Sequence, residues 1–353
     1  MRRAVCALLL AAAPGWALAQ GTLRLFNWNN YITERSVKAF EAQCRCRLAQ
    51  DYYSDNEEML AKLAAGATGY DLIVPTGNAV QALIASGQLR PLDHARIPNL
   101  ANIKPEFLDQ WFDPGNRYSV PYAYSLTILG YNAGRMRALD IPTDTWAAIF
   151  EPKYLERVKG KVTVLDSQRE LFAAALIYLG HPANDADENH LKAARDLILR
   201  AKPYWAAFNA GSYFKELAIG NIWLAHGYSN DFFTAQQDAR AAGRKFTVDF
   251  TTPTEGAVFA LDSLVMHRTG REPDLAYQFI TFWLEGRASA EITNAIGAGN
   301  PNRVAMQWIK PEIANNRNIF PDPEQFRRLQ SLKDYDPKTR RLLNRLWVEV
   351  KVR

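Results

Sequence analysis

Short apolar runs and helical-period runs take turns along this chain. Residues 23–28 form a compact strand pattern. A helix pattern follows from about Thr33, with Val37 and Phe40 on its inner side and Thr33 placed as the cap. Residues 47–53 read as a second strand. Ser54-Asp55-Asn56-Glu57 has the form of a capping box, ahead of Met59, Leu60 and Leu63 on one helical face, with Gly66 at its end. Residues 70–74 are a short apolar strand stopped by Pro75, and 79–86 a helix closed by Gly87. Strand–helix alternation at this spacing argues for parallel α/β layers. Ligands of such layers bind beyond the carboxyl ends of the strands, which here are 28–31 and 76–78.

The pattern continues without an internal repeat or a low-complexity segment. Residues 121–132 read as a long strand leaving the first lobe. Residues 162–165 are a strand, and a helix follows over 167–179 with Gly180 after it. A strand at 222–224 precedes a helix from about 231 to 242, and 246–250 is a strand. Residues 257–266 are a mostly apolar strand and 276–285 a helix. The last helix starts near 338, with Leu342, Leu343, Leu346 and Trp347 on one side.

The first 19 residues read differently. Arg2-Arg3 precede an apolar run, Pro14-Gly15 break it, and Ala17-Leu18-Ala19 is an A-x-A cleavage site, so the reading is a secretory signal cut after Ala19. The run is too short to span a bilayer. Export of a free, periplasmic protein is the expectation.

Composition agrees with a globular chain: 48% hydrophobic, 22% charged and 12% aromatic over 353 residues, enough for two lobes. The formal charge is +5. Removing Arg2 and Arg3 from the 42 basic residues leaves 40 against 37 acids. Near-balance without a basic stripe argues against a nucleic-acid partner. After cleavage two cysteines remain, in Cys44-Arg45-Cys46. Export favours oxidation, but a bridge across one residue is near the geometric limit. Both the reduced and the bridged pair stay open.

Enzymatic signatures are absent: no G-x-x-x-x-G-K, no G-x-G-x-x-G after a strand, no H-E-x-x-H, no G-x-S-x-G. His94, His181, His190, His226 and His267 are scattered with no metal-like spacing. Trp28 and Tyr31 follow the first strand and could be loop packing. Glu170, three residues after Ser167, could complete a capping box, and Asp231 could cap a helix. Asp262 has no such explanation. It stands inside Phe259-Ala260-Leu261-Asp262-Ser263-Leu264-Val265, where a carboxylate is costly unless paired.

Phe26-Asn27-Trp28-Asn29-Asn30-Tyr31, Ser54-Asp55-Asn56-Glu57, Tyr70-Asp71-Leu72-Ile73-Val74-Pro75, Tyr118-Ser119-Val120-Pro121-Tyr122 and Asp262-Ser263, in this order, resemble the periplasmic putrescine/spermidine-binding proteins of ABC importers. The likeness runs from about Leu23 to the C-terminus, and the tail, Leu332 to Trp347, is similar to the putrescine-binding branch. It implies an α/β fold of two lobes, each a mainly parallel sheet flanked by helices, joined by a hinge of crossing strands. Lobe 1 would be 20–124 with 259–303, and lobe 2 would be 125–258 with 304–353.

The resemblance also implies a ligand set. Trp28 would be an aromatic wall, Asn29 a neighbouring contact, Tyr31 a hydroxyl contact and Thr76 a small hydroxyl beyond the Val-Pro strand. Glu170 would hold one terminal ammonium, and Asp262 would anchor an amine near the hinge. Asp231 would be the acid of the putrescine-binding branch, with Tyr228 in place of a Trp. No cofactor, metal or catalytic residue is implied; the partners would be a small cationic amine and membrane permease subunits, and the receptor a monomer. The chemistry is coherent: each ammonium wants acceptor-only carboxylates, and the methylenes want aromatic cover.

Four positions depart from the family pattern, with Asn30, Asn78, Ala260 and Ala298 where acids or aromatics are usual. A wider pocket for a larger amine, replacement walls from Tyr124, Phe232 or Phe259, and a ligand other than a simple polyamine all stay open. So do two other roles: a signalling receptor for a cationic amine, and a secreted enzyme using Glu170 with Asp231 or Asp262 as an acid/base pair.

Overall fold

The computed structural model describes residues 21–29, 31–53 and 56–352. The export segment 1–19, Asn30, and Ser54 and Asp55 of the expected capping box lie outside the described residues.

The strands are β1 (Thr22–Trp28), β2 (Arg47–Tyr53), β3 (Leu72–Ile73), β4 (Ser119–Asn132), β5 (Val162–Val164), β6 (Ala207–Phe208), β7 (Leu224–Tyr228), β8 (Val248–Thr251), β9 (Ala257–Met266) and β10 (Leu329–Gln330). They pair in the order β2-β1-β3-β9-β4-β7-β5-β6, with β8 beside β4 and β10 beside β9. β1 is parallel to β2 and β3, and β5 is parallel to β6 and β7, as the alternation of elements predicts. The join is different. β9 is antiparallel to β3 and β4, and β4 is antiparallel to β7.

These two strands carry the chain between the halves. β4 pairs with β9 from Ser119 to Thr127, then with β7 and β8 up to Asn132. β9 begins beside β10 at Ala257 and ends beside β3 at Met266. Asp262 sits between those ends, opposite Ala123 and bridged to Thr76.

Local chemistry explains the flanking elements. Leu25, Phe26 and Asn27 of β1 are all buried, as an interior parallel strand requires. In α1 (Glu34–Cys44) the Thr33 hydroxyl accepts from the Ser36 N–H at 3.1 Å, and Ser36 and Phe40 face the core while Val37 is half-buried. Arg45 follows with a φ of 54°, and the Cys44 and Cys46 sulfurs are bridged across it. The bridged reading is the one the structure takes. α2 (Asn56–Ala64) buries Met59 and Leu63, and α3 (Gly77–Ala85) buries Ala79, Val80 and Leu83. In the helix Gln168–Tyr178 every residue from Glu170 to Ile177 is buried, so this helix lies inside its half.

Three expectations shift. The strand read at 70–74 contracts to Leu72–Ile73, and that at 246–250 becomes Val248–Thr251. The strand read at 222–224 is really Leu224–Tyr228 and contains Gly227. Gly227 resembles a breaker, but a Cβ there would meet the Tyr213 ring at 2.1 Å. The glycine makes room for a ring.

Candidate functional site

The described acids and aromatics gather where strands of both halves end. Asp262 is the centre. It is 5% exposed, yet both its oxygens are held: Tyr31 donates to Oδ2 at 2.8 Å, and Thr76 donates to Oδ1 at 2.7 Å. Tyr31 follows β1 and Thr76 follows β3. Thr76 is the N-cap residue of α3, but its hydroxyl makes no cap bond, being turned to Asp262 instead. Burial pushes the Asp262 carboxyl up to about 7, against the downward pull of the Thr76 and Tyr31 hydroxyls.

A rigid wall stands beside it. The Trp28 indole donates to the Val74 carbonyl at 2.8 Å and packs on the Tyr53 ring, with centroids 4.7 Å apart. Tyr53 donates to the same carbonyl at 2.6 Å. Tyr122 donates to the Tyr31 carbonyl at 2.5 Å, and its ring lies 4.0 Å from that of Trp283, nearly parallel. Asn29 is exposed in the turn after β1.

The second half supplies two acids, each in the first turn of a helix that follows a strand. There the helix dipole favours negative charge. Glu170 is 8% exposed, and its Oε2 has no hydrogen-bond partner among the described residues. Burial pushes it up to about 7, opposed by the Thr127 hydroxyl and the Arg169 guanidinium. The Ser167 hydroxyl accepts from the Glu170 N–H, at a long 3.5 Å, so the expected cap is only weakly made. Asp231 is not the helix cap expected of it. The cap position of the helix Ser229–Ala241 is Tyr228, and Asp231 lies within the first turn. Its Oδ2 accepts from the Tyr213 hydroxyl at 2.5 Å, and that hydroxyl accepts from the Tyr228 N–H at 2.9 Å. Burial pushes Asp231 up to about 6, against the Tyr213 hydrogen bond.

Tyr228 ties the two groups together. Burial pushes its phenol well above the usual range, and the charges of Glu170, Asp231, Glu57 and Asp262 push it further. Those four acids come from both halves, and the charge of each acts on the same phenol. Among the described residues no ion pair joins Glu170, Asp231 or Asp262 to a Lys, Arg or His. Buried carboxylates with raised pKa values and no ion-pair partner among the described residues are poised to accept a positive guest.

The structure therefore brings together Trp28, Tyr31, Thr76 and Asp262 on one side and Glu170, Tyr228 and Asp231 on the other. Sequence reasoning missed three contributors. In the sequence Glu57 has only a capping role, although its neighbour Asn56 accepts from the Thr76 N–H at 3.3 Å. Tyr213 and Thr127 carried no signal. The rings offered as replacement walls are packed away: Phe232 lies over Gly130, and Tyr124 and Phe259 form a buried cluster with Phe107 and Phe326.

Comparison with known proteins places this architecture. Residues 36–321 match the family described as bacterial extracellular solute-binding protein. The chain belongs to that family. This solute-binding protein is 54% identical, over the full length of both chains, to a putrescine/cadaverine-binding protein of Pseudomonas aeruginosa. It is 33% identical to the putrescine-binding periplasmic protein PotF of Escherichia coli, over 98% of this chain and 96% of that one. Two solved structures share its two-lobed fold. The TpPotD lipoprotein of Treponema pallidum matches with a TM-score of 0.83 at 29% identity, over 94% and 100% of the chains. The spermidine/putrescine substrate-binding protein PotD of Streptococcus pneumoniae matches at 0.84 and 24%, over 94% and 98%. Solute binding, not catalysis, is the role of the family, and the acid/base enzyme reading is set aside.

Proposed function

We propose that this solute-binding protein is a periplasmic receptor, exported with cleavage after Ala19, that captures a polyamine of the putrescine class between its lobes and delivers it as a monomer to an ABC permease. One observation carries the reading: buried acids of both halves, Asp262 in one and Glu170 and Asp231 in the other, act through their charge on the Tyr228 phenol, with no Lys, Arg or His paired to any of the three among the described residues. That these relatives bind putrescine or cadaverine supports it.

In this reading the lobes are 20–124 with 259–303 and 125–258 with 304–353, hinged on β4 and β9. Asp262 takes one ammonium, oriented by Tyr31 and Thr76. Glu170 and Asp231 take the other, with Tyr213 holding Asp231 in place. Trp28 and Tyr228 cover the methylenes, and Asn29 lies at the rim. A guest with a charge at each end favours the closed arrangement because only there do both ends meet acids.

The test is calorimetry with putrescine, cadaverine and spermidine, using butylamine as a single-cation control. One-to-one saturable binding of a diamine, with a raised melting temperature and none for butylamine, is the expected result. Absence of binding by all three polyamines refutes the proposal.

A further inference from the structure

Two of the five histidines, nine residues apart in sequence, meet on the surface of the second half. His181 follows the helix Gln168–Tyr178 and His190 lies in the first turn of the helix Glu188–Ala201. Their rings are stacked, with centroids 3.7 Å apart and planes 16° from parallel. Between helix end and helix start stands Asp185. Its Oδ2 lies 2.8 Å from His190 Nδ1 and 3.8 Å from His181 Nδ1. The three donor atoms all fall within 4.8 Å of one another.

The carboxylate is built into place. Its Oδ1 accepts from the Asp187 N–H at 2.8 Å, which leaves Oδ2 to the imidazoles. The Asp185 N–H donates to the Pro182 carbonyl, and the Asp185 carbonyl accepts from the Tyr335 hydroxyl at 3.0 Å. Next to it, Asn184 is bonded to Arg169, to the Ser331 carbonyl and to the Lys333 N–H. The turn is thus fixed from both sides before any ligand arrives. The side chains of Asp185, His181 and His190 are 15%, 27% and 42% exposed, so an ion has access from water.

We propose that His181, Asp185 and His190 form a binding site for a divalent transition metal of the zinc class. Two imidazole nitrogens and one carboxylate oxygen are a donor set that zinc, nickel and copper accept, whereas calcium and magnesium want oxygen alone. Zinc bonds of ~2.0–2.2 Å place neighbouring donors roughly 3–3.5 Å apart, between the two separations seen here. Near-parallel rings point their nitrogens side by side, so capture turns His190, the more exposed ring, about its soft χ2 torsion. Water would complete the shell on the open side. The ion would clamp the turn to the helix Glu188–Ala201. It would stiffen the same turn that holds Arg169, the neighbour of Glu170.

The experiment uses tag-free mature protein, because a histidine tag would mask the result. Zinc titration by calorimetry and by thermal shift is run on the unaltered chain, on His181→Ala with His190→Ala, and on His190→Gln alone. The unaltered chain should take up one zinc and melt at a higher temperature with it. The double variant should bind at least tenfold more weakly and gain no thermal shift. Putrescine titration of each chain reports that the fold is intact and keeps this test separate from the polyamine reading. The single variant, at a half-exposed ring, serves if the double variant does not fold. No zinc uptake by the unaltered chain, or uptake that persists at the same strength in the variants, overturns the proposal.

Discussion

The Tyr31 hydroxyl donates to Asp262 across 231 residues of sequence, at 2.8 Å. Among the described residues it is one of two donors on that carboxylate, with Thr76 the other. Removing the charge while keeping the shape, as in Asp262→Asn, should weaken diamine binding by ~2–5 kcal/mol, since a desolvated ammonium loses its counter-charge. Tyr31→Phe removes only one hydrogen bond to a charged group and should cost ~1.5–3 kcal/mol. Calorimetry on both variants checks the order; equal affinity for putrescine in Asp262→Asn and the parent would contradict the anchor role.

Acidity should control capture. Ligand-free Asp262 and Glu170 are pushed up to about 7, and Asp231 to about 6. A cationic guest requires the ionised forms, so affinity should rise between about pH 5 and 8, and binding near pH 6 should release protons. Calorimetry in buffers of different ionisation enthalpy counts them. The sign for stability is the reverse. Raised native pKa values mean that the empty folded protein holds more protons than the unfolded chain between about pH 4 and 7. These three groups therefore make the empty protein less stable as pH rises through that window, and saturating diamine should cancel the trend in melting temperature.

Gly227→Ala tests the seat of Tyr213. The added Cβ would stand 2.1 Å from that ring. Displacing a buried ring costs ~1–3 kcal/mol, and Asp231 would lose its hydroxyl donor. Both a lower melting temperature and weaker diamine binding are expected. A loss of stability alone, with affinity preserved, would show that Tyr213 does not position Asp231.

The Cys44–Cys46 bridge closes a very short loop, with a sequence separation of 2. Chain-entropy reasoning then assigns it only ~1–2 kcal/mol. Replacing both cysteines by serine should lower the melting temperature by a few degrees and leave diamine affinity unchanged. Collapse of the fold on reduction would mean the bridge does more than restrain the chain locally.

Part of this architecture was legible from residue order. Asp262 stood out because a carboxylate in an apolar strand demands a reason, and it proved to be held by two hydroxyls. Thr33 was readable as a cap because capping depends on neighbours in sequence. The features that escaped depend on packing between distant segments. Tyr213 acquires its role from a glycine 14 residues later and an acid 18 residues later. Gly227 lies inside β7 because the Tyr213 ring fills its Cβ space, a fact of packing that the pattern at 222–224 does not carry. Glu57 satisfies a capping rule on paper, and nothing local reveals that its charge acts on Tyr228. His181 and His190 look scattered because a turn, not a helical period, brings them together.

If the proposed closure holds, placement on β9 also sets the order of events. Asp262 would ride on the axle about which the two halves swing, where displacement is least, while Glu170 and Asp231 would travel with the moving arm. A guest moored at the axle would keep one end stationary as the arm comes round to inspect the other. Chain length would then be gauged last, by whether the jaw can shut.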